Sequence, residues 1–108
     1  MISMKIYIQS LSFRANDRLI DFAEDKISKL SQYSGQVVDA QVILKAPKSA
    51  AGDDKTCEIK LAIPGNDLFA SKQGNSFEEA ILKSVEALKQ QLLTWKEKDL
   101  KANYGQPW

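Results

Sequence analysis

Apolar and polar residues alternate along three segments of the chain, a pattern typical of strands that bury one face. These segments are Lys5 to Ser10, Val37 to Lys45 and Thr56 to Ile63. A fourth, shorter segment from Leu68 to Lys72 follows the strong turn signal Pro64-Gly65-Asn66-Asp67. The pattern therefore predicts four strands, of which the last three form an antiparallel meander.

A first helix is predicted between the first two strands, because apolar residues recur there at helical spacing. Asn16 suits the N-cap position, and the apolar stripe runs from Leu19 to Leu30. Ser34-Gly35 is a stop signal, since glycine readily adopts the left-handed conformation found at helix ends. The sequence predicts that this helix extends to about Tyr33.

A second helix is predicted after the fourth strand, where Ser76-Phe77-Glu78-Glu79 forms a capping box. In this motif the Ser76 hydroxyl accepts a hydrogen bond from the Glu79 amide, and the Glu79 carboxylate reaches back to the Ser76 amide. Apolar residues then share one face as far as Trp95. We expect the helix to end near Lys101.

The predicted element order is β-α-β-β-β-α, which defines an α+β fold. Each helix has an apolar stripe and the strands mostly have one apolar face, so the simplest arrangement packs two helices on one face of a four-stranded sheet. Tyr7, Glu58 and Lys60 then lie on the other, solvent-facing side. We predict a single domain over residues 1–102 and a short C-terminal tail over residues 103–108.

The composition argues against catalysis and metal binding. The chain has no histidine and a single cysteine, Cys57, so the commonest general base and the usual zinc ligand sets are missing. The acidic pairs Asp53-Asp54 and Glu78-Glu79 fall in a predicted loop and a helix cap. We expect no enzyme activity, cofactor, metal or small-molecule substrate. One cysteine fits a reducing cytoplasm, and no apolar segment is long enough to span a membrane.

Charge is balanced overall, with 15 basic and 14 acidic residues, so any nucleic-acid site depends on where the lysines lie. Lys26 and Lys29 share a stripe of the first helix with Phe22 and Tyr33. On the last helix, Lys89 and Lys96 share one flank. The other flank carries three further lysines: Lys83, Lys98 and Lys101. If the helices pack side by side, these stripes form a cationic band that can contact phosphates.

A structural explanation of the same lysines stays open. Lysines late in a helix and acids early in it are favoured by the helix macrodipole, and Asp25–Lys29 and Glu79–Lys83 are stabilising i,i+4 pairs. Tyr33 likewise either stacks on a base or closes the end of its helix. A second apolar seam, formed by Leu82, Leu93 and Leu100, either contacts a partner or second copy or broadens the helix–helix contact.

Several segments in register along residues 4–98 carry a resemblance to a known family. In the first helix, Lys26, Lys29-Leu30 and Tyr33 reproduce a run of a basic residue, two positions, Lys-Leu, two positions and an aromatic. The other matching segments are Asp21-Phe22, Val42-Ile43-Leu44-Lys45, Ala70-Ser71, Gly74, Ala80-Ile81, Leu88, Gln91-Leu92, Lys96 and Lys98. Together they resemble the ribosome hibernation promoting factor family, also called the sigma-54 modulation protein family, in its short form.

The resemblance implies a cytoplasmic protein that binds the small ribosomal subunit where messenger and transfer RNA would lie, and so inhibits translation in starved or stationary-phase cells. It implies that basic residues on the helices contact ribosomal RNA. The expected main contacts are Lys26, Lys29, Lys89, Lys96 and Lys98, with Arg18, Lys83 and Lys101 as weaker ones. The last helix departs from the family pattern, which has basic residues where this chain has Ala87, Gln90 and Thr94.

An alternative hypothesis is a regulatory module that binds a sigma factor or another protein and no RNA. The balanced net charge and the Leu82, Leu93, Leu100 seam would fit such a role. Ionic strength discriminates between the two hypotheses, because binding through lysines weakens steeply with added salt and an apolar contact does not.

Overall fold

The computed structural model of the protein describes residues 4–11, 13–33, 37–46 and 55–104, and it describes their side chains except those of Asn66 and residues 96–104. The elements are β1 (Lys5–Leu11), α1 (Asp17–Ser28), a 3-10 segment (Lys29–Gln32), β2 (Asp39–Lys45), β3 (Lys55–Ile63), β4 (Asn66–Gly74) and α2 (Phe77–Tyr104). The predicted α+β class and the β-α-β-β-β-α order are confirmed.

The four strands form one mixed sheet in the order β1-β2-β3-β4. β1 and β2 are parallel, and α1 provides the crossover connection that parallel neighbours require. β2, β3 and β4 form the predicted antiparallel meander. Pro64 and Gly65 connect β3 to β4, and Gly65 has a φ of 80°, as the third position of a type II turn demands.

Both helices pack on the same face of the sheet and enclose the core. Ala23 and Ile27 of α1 and Ile81, Leu88 and Leu92 of α2 are fully buried. They contact the buried side of the central strands, which includes Val42, Leu44, Ile59 and Leu61. The opposite face of the sheet carries the alternate residues of each strand and is open to solvent across the described part of the chain, as the sequence predicts.

α1 is shorter than the sequence predicts. The α-helix ends at Ser28, and residues Lys29–Gln32 continue as a 3-10 helix, in which hydrogen bonds span three residues. The Ser28 hydroxyl donates to the Asp25 carbonyl at 3.0 Å, and the Ser31 hydroxyl donates to the Ser28 carbonyl at 2.8 Å. These short-range bonds occupy carbonyls at the helix end and favour the tighter turn.

The beginning of α2 is held by a modified capping box. The Glu79 amide donates to the Ser76 hydroxyl at 3.1 Å, as predicted, but the Glu79 carboxylate accepts from the Asn75 amide at 2.9 Å instead of the Ser76 amide. Gly74 permits this contact, because a Cβ there would lie 2.7 Å from Glu79 Oε1. A stacked pair of rings, Phe13 and Phe77, ties the loop after β1 to the same region, with centroids 4.3 Å apart.

α2 also covers the outer edge of β4. The Gln91 side-chain amide donates to the Phe69 carbonyl at 2.8 Å, and the Lys83 ammonium donates to the Gln73 carbonyl at 3.2 Å. Occupied edge carbonyls make pairing with a further strand less favourable. At its other end α2 extends to Tyr104, so it includes the first two residues of the predicted tail, and residues 105–108 lie outside the described residues.

Candidate nucleic-acid interface

The two helices pack side by side, and a lysine of α2 lies beside the segment that ends the first helix. The Lys89 ammonium of α2 lies 5.4 Å from the centroid of the Tyr33 ring, which follows the 3-10 segment. On α1, the Lys26 ammonium lies 5.6 Å from the Phe22 ring centroid. We refer to Lys26, Lys29 and Lys89, with the rings of Phe22 and Tyr33, as the helical patch.

Core packing places these residues at the exposed junction between the helices. Ala23, Ile27 and Leu30 point into the core, so the residues one position before each of them lie on the flank of the stripe. The neighbouring residue Leu88 is likewise buried and leaves Lys89 on the flank of α2 that adjoins α1. The position of the patch is therefore fixed by the same apolar stripes that build the core.

One carboxylate lies within the helical patch. Asp25 Oδ2 is 3.8 Å from the Lys26 ammonium and 3.6 Å from the Lys29 ammonium. Exposed ion pairs of this kind contribute only ~0–1 kcal/mol, and a single carboxylate cannot neutralise two lysines. Within the described part of the chain, no carboxylate lies within 4.0 Å of the Lys89 ammonium. The patch therefore keeps a net positive charge.

Tyr33 has the structural role that was one of the two alternatives left open by the sequence. Its ring is half-buried and packs against the core, which agrees with a role in closing the end of α1. The same ring contacts Lys89 through a cation–π interaction, which holds the ammonium beside α1. With one part of its ring packed against the core, Tyr33 offers less surface to a stacking base than a fully exposed ring would.

Lys83 lies on a different side of α2 from the helical patch. Its ammonium is 3.6 Å from Glu79 Oε1 and donates to the Gln73 carbonyl at the β4 edge. A shallow groove of about 470 Å³ runs there between β4 and α2, lined by Lys72, Leu82, Lys83, Glu86, Ala87 and Gln90. The lysines that the sequence predicts in one cationic band therefore lie on two separate surfaces, because α1 packs against one flank of α2 and β4 packs against the other.

Lys72 is a candidate cation that the sequence reasoning missed. In β4, Lys72 follows the buried residues Leu68 and Ala70 at the same two-residue spacing. The alternation therefore predicts that its side chain points inward. Lys72 is nevertheless exposed, and it lines the groove beside Lys83. Its position near the end of the strand is the sequence signal that could have identified it.

Among the described side chains, the remaining residues predicted to contact RNA do not come together. Arg18 is exposed in the first turn of α1, ~12 Å along the helix axis from Lys26. Lys96, Lys98 and Lys101 belong to α2, but their side chains lie outside the described residues, as does that of Leu100. Lys96 follows Lys89 by two helical turns, so its backbone position continues the same flank.

The Cys57 thiol and the described metal-ligating residue types bear on the chemistry that the site can perform. Burial raises the pKa of the Cys57 thiol to about 11, and the Ser84 hydroxyl opposes this shift only partly. A thiol with so high a pKa is a poor nucleophile near neutrality. Among the described residues, no three metal-ligating side chains of the His, Cys, Asp or Glu types lie together. Nor does any described helix have the length and apolar character that crossing a membrane requires.

Comparison with known proteins gives a consistent family relationship. A family model described as Sigma 54 modulation protein / S30EA ribosomal protein matches residues 6–99. A protein of Azotobacter vinelandii named ribosome hibernation promoting factor is 27% identical over 103 residues, which cover 95% of this chain and 92% of the relative. A Deinococcus radiodurans protein named ribosome hibernation promotion factor is 26% identical over 100 residues, and the chain spans about half (52%) of its length.

A solved structure shares the fold. The N-terminal domain of protein Y from Thermus thermophilus superposes with a TM-score of 0.72 and 22% sequence identity. The superposition covers 87% of this chain and 99% of that domain. The arrangement of two helices on a four-stranded mixed sheet is therefore also found in that protein.

Proposed function

Because the chain belongs to the Sigma 54 modulation protein / S30EA ribosomal protein family, we propose that it is a ribosome hibernation factor. It binds the small ribosomal subunit through ribosomal RNA, in the channel of messenger and transfer RNA. Occupancy of that channel inhibits translation during starvation or stationary phase, and the protein works in the cytoplasm, where ribosomes are found. The family description and the names of the relatives refer to ribosomes and to regulation and mention no reaction.

The contact between Lys89 and Tyr33 is the observation that carries the RNA-binding part of this proposal. It places Lys89 of α2 beside Tyr33, four residues after Lys29, although the two helical segments are far apart in the sequence. Lysines act on RNA as point charges that contact phosphates without reading the sequence, and their contribution adds with each phosphate reached. The shaped backbone of folded ribosomal RNA is a suitable ligand for such a surface.

The lysines differ in how well their surroundings support a phosphate contact. Lys26, Lys29 and Lys89 form the centre of the proposed interface, and Lys96 and Lys98 extend it along α2. Arg18 and Lys101 are peripheral candidates. Lys83 lies with Lys72 at the β4 edge, where Glu79 and Glu86 balance the charge of the two lysines, so this group is a weaker candidate for phosphate contact.

Charge reversal tests the proposal directly. The triple variant Lys26→Glu, Lys29→Glu, Lys89→Glu should lose co-sedimentation with small ribosomal subunits, because it turns a cationic patch into an anionic one. The matched control is Arg14→Glu, Lys45→Glu, Lys55→Glu, which makes the same change in net charge outside the helical patch and should retain binding. Circular dichroism checks that both variants are folded. Undiminished co-sedimentation of the first variant contradicts the proposed interface.

Exposed leucines of α2 support a second candidate role in protein contacts or weak self-association. Leu82 is 47% exposed and Leu93 is 41% exposed, and three helical turns separate them, so they share one face. The double variant Leu82→Ser, Leu93→Ser should lower any concentration-dependent dimerisation seen by sedimentation velocity. Two results together exclude this role: the wild type stays monomeric at high concentration, and the double variant still binds ribosomes.

A further inference from the structure

A second surface, on the side of the sheet that the helices leave uncovered, contains a depression suited to a flat ring. It lies over β1 and β2 and has a volume of about 460 Å³, within the ~300–1,000 Å³ range of small-molecule sites. Its lining includes Tyr7, Gln9, Asp39, Gln41 and Ile43. We refer to it as the sheet depression.

The parallel register of β1 and β2 builds this site. Tyr7 pairs with Gln41, and Gln9 pairs with Ile43, so an aromatic ring and two side-chain amides point to the same side within one strand spacing. Tyr7 is 54% exposed. Its ring is available as a stacking surface.

The polar groups of the depression are not engaged within the protein. Among the described residues, the side chains of Gln9 and Gln41 form no hydrogen bond, and the Asp39 carboxylate forms no ion pair within 4.0 Å. By contrast, Lys45 and Lys60 on the same face are paired with Glu58 at 2.9 Å and with Asp67 at 3.5 Å. The donors and acceptors that remain open therefore line the same depression as Tyr7.

The charge of the depression selects the part of a nucleotide that it can accept. No lining residue is positively charged, and Asp39 repels phosphate; Lys5 and Lys60 lie beside the depression as register partners of Asp39 and Gln41, and Lys60 is paired with Asp67. A side-chain amide can both donate to and accept from the edge of a base, and a carboxylate accepts from an exocyclic amino group. Unpaired RNA bases are commonly recognised by stacking on an aromatic ring with hydrogen bonds at the base edge.

We propose that the sheet depression binds a single unpaired RNA base, with Tyr7 stacking on the ring and Gln41, Gln9 and Asp39 contacting its edge. The proposal rests on the proposed function for the source of the base, which is ribosomal RNA. The protein then contacts RNA on two faces: phosphates on the helical side and one extruded base on the sheet side.

Nuclear magnetic resonance of the ¹⁵N-labelled chain tests the proposal with single-stranded oligoribonucleotides of each base type and with the nucleoside monophosphates. Measurements at high salt suppress phosphate contacts. At least one base type should give saturable shifts at Tyr7 and at the Gln9 and Gln41 side-chain amides. Tyr7→Ala should weaken this binding at least roughly fivefold, because stacking contributes ~1–3 kcal/mol per base, and Tyr7→Phe should retain it.

Phe69 provides the matched control. It is 53% exposed on the same face but lies on β4, ~14 Å from Tyr7 across three strand spacings. Phe69→Ala should leave the base affinity unchanged. An equal loss in Phe69→Ala and Tyr7→Ala, or no saturable shift at the depression with any probe, overturns the proposal. Binding of free nucleoside monophosphates without oligonucleotide binding also overturns it and assigns the site to a small molecule.

The failure of this proposal can be distinguished from failure of the proposed function. If the wild type co-sediments with ribosomes but no oligonucleotide shifts the depression, only the base site is rejected. If oligonucleotides bind at Tyr7 but the Lys26, Lys29, Lys89 reversal leaves co-sedimentation intact, the helical interface is rejected instead. Loss of ribosome binding in Tyr7→Ala without any oligonucleotide binding rejects the base site and indicates a protein contact at the depression.

Discussion

At the scale of single residues, a buried hydrogen bond joins α2 to the centre of the sheet. The Ser84 hydroxyl donates to the Cys57 carbonyl at 3.0 Å, and both residues are fully buried. The apolar stripe of α2 predicts a helix face at this position but gives no reason for a serine within it. The tertiary structure supplies the reason, because a hydroxyl at this position reaches the backbone of β3.

Replacing Ser84 by alanine should lower the free energy of unfolding by about 0.5–1.5 kcal/mol, the usual net contribution of an intramolecular hydrogen bond. Urea denaturation followed by circular dichroism measures the change. Ser71→Ala, on the exposed face of β4, is the control and should change stability little. Equal effects of the two substitutions would show that the buried bond contributes nothing specific.

Cys57 should react with thiol reagents far more slowly in the native protein than in urea. Burial blocks access to the sulfur, and it raises the thiol pKa to about 11, so almost none of the reactive thiolate is present at neutral pH. The rate of reaction with a chromogenic disulfide, with and without denaturant, measures the difference. Rapid labelling of the folded protein would contradict the buried position that both sequence alternation and structure assign to this residue.

At the scale of elements, the beginning of α2 depends on the charge of one carboxylate. Hydrogen bonding from the Asn75 amide, followed by the nearby Lys83 ammonium, lowers the pKa of Glu79 below its ordinary value of 4.5. Because the folded pKa is lower than the unfolded one, the stabilising contribution is fully present above about pH 4.5. It is lost as the pH falls through the lower, folded pKa.

Glu79→Gln should therefore be less stable than the wild type at neutral pH, and the difference should vanish in acid. The glutamine keeps an oxygen that can accept from the Asn75 amide but removes the charge that attracts Lys83. Thermal unfolding at several pH values measures the difference, with Glu78→Gln in the same helical turn as the control. A stability difference that does not change with pH argues against the assigned charge effect.

The elements themselves were largely predictable because their signals are local. Asn16 caps α1 with a 2.8 Å bond to the Leu19 amide, as its residue type and position predict. The transition to a 3-10 helix after Ser28 was missed, since serine side chains that bond carbonyls three residues earlier can also occur in ordinary helices. The switch of the Glu79 bond to Asn75 was missed because it depends on the close approach at Gly74.

At the scale of the whole molecule, the interface proposed at the helical patch predicts that ribosome binding weakens as ionic strength rises. The logarithm of the binding constant should fall linearly with the logarithm of salt concentration. Each single reversal, Lys26→Glu, Lys29→Glu or Lys89→Glu, should reduce the steepness of that line by about 1, as expected for the loss of one phosphate contact. Sedimentation at graded salt measures the slope. A wild-type affinity that hardly changes with salt would favour the leucine-mediated protein contact instead.

The sequence by itself determined the strands, the two helices, the capping residues Asn16 and Ser76 and most of the buried faces, because periodicity and capping act between residues close in the chain. It also identified Lys26, Lys29 and Lys89 as candidate contacts. Only the tertiary structure decided that Lys89 lies beside Tyr33 while Lys83 lies at the β4 edge, and that Tyr7 shares a depression with Gln41. Helix packing and strand register join residues that are distant in sequence, and no local pattern records which flank or which strand becomes the neighbour.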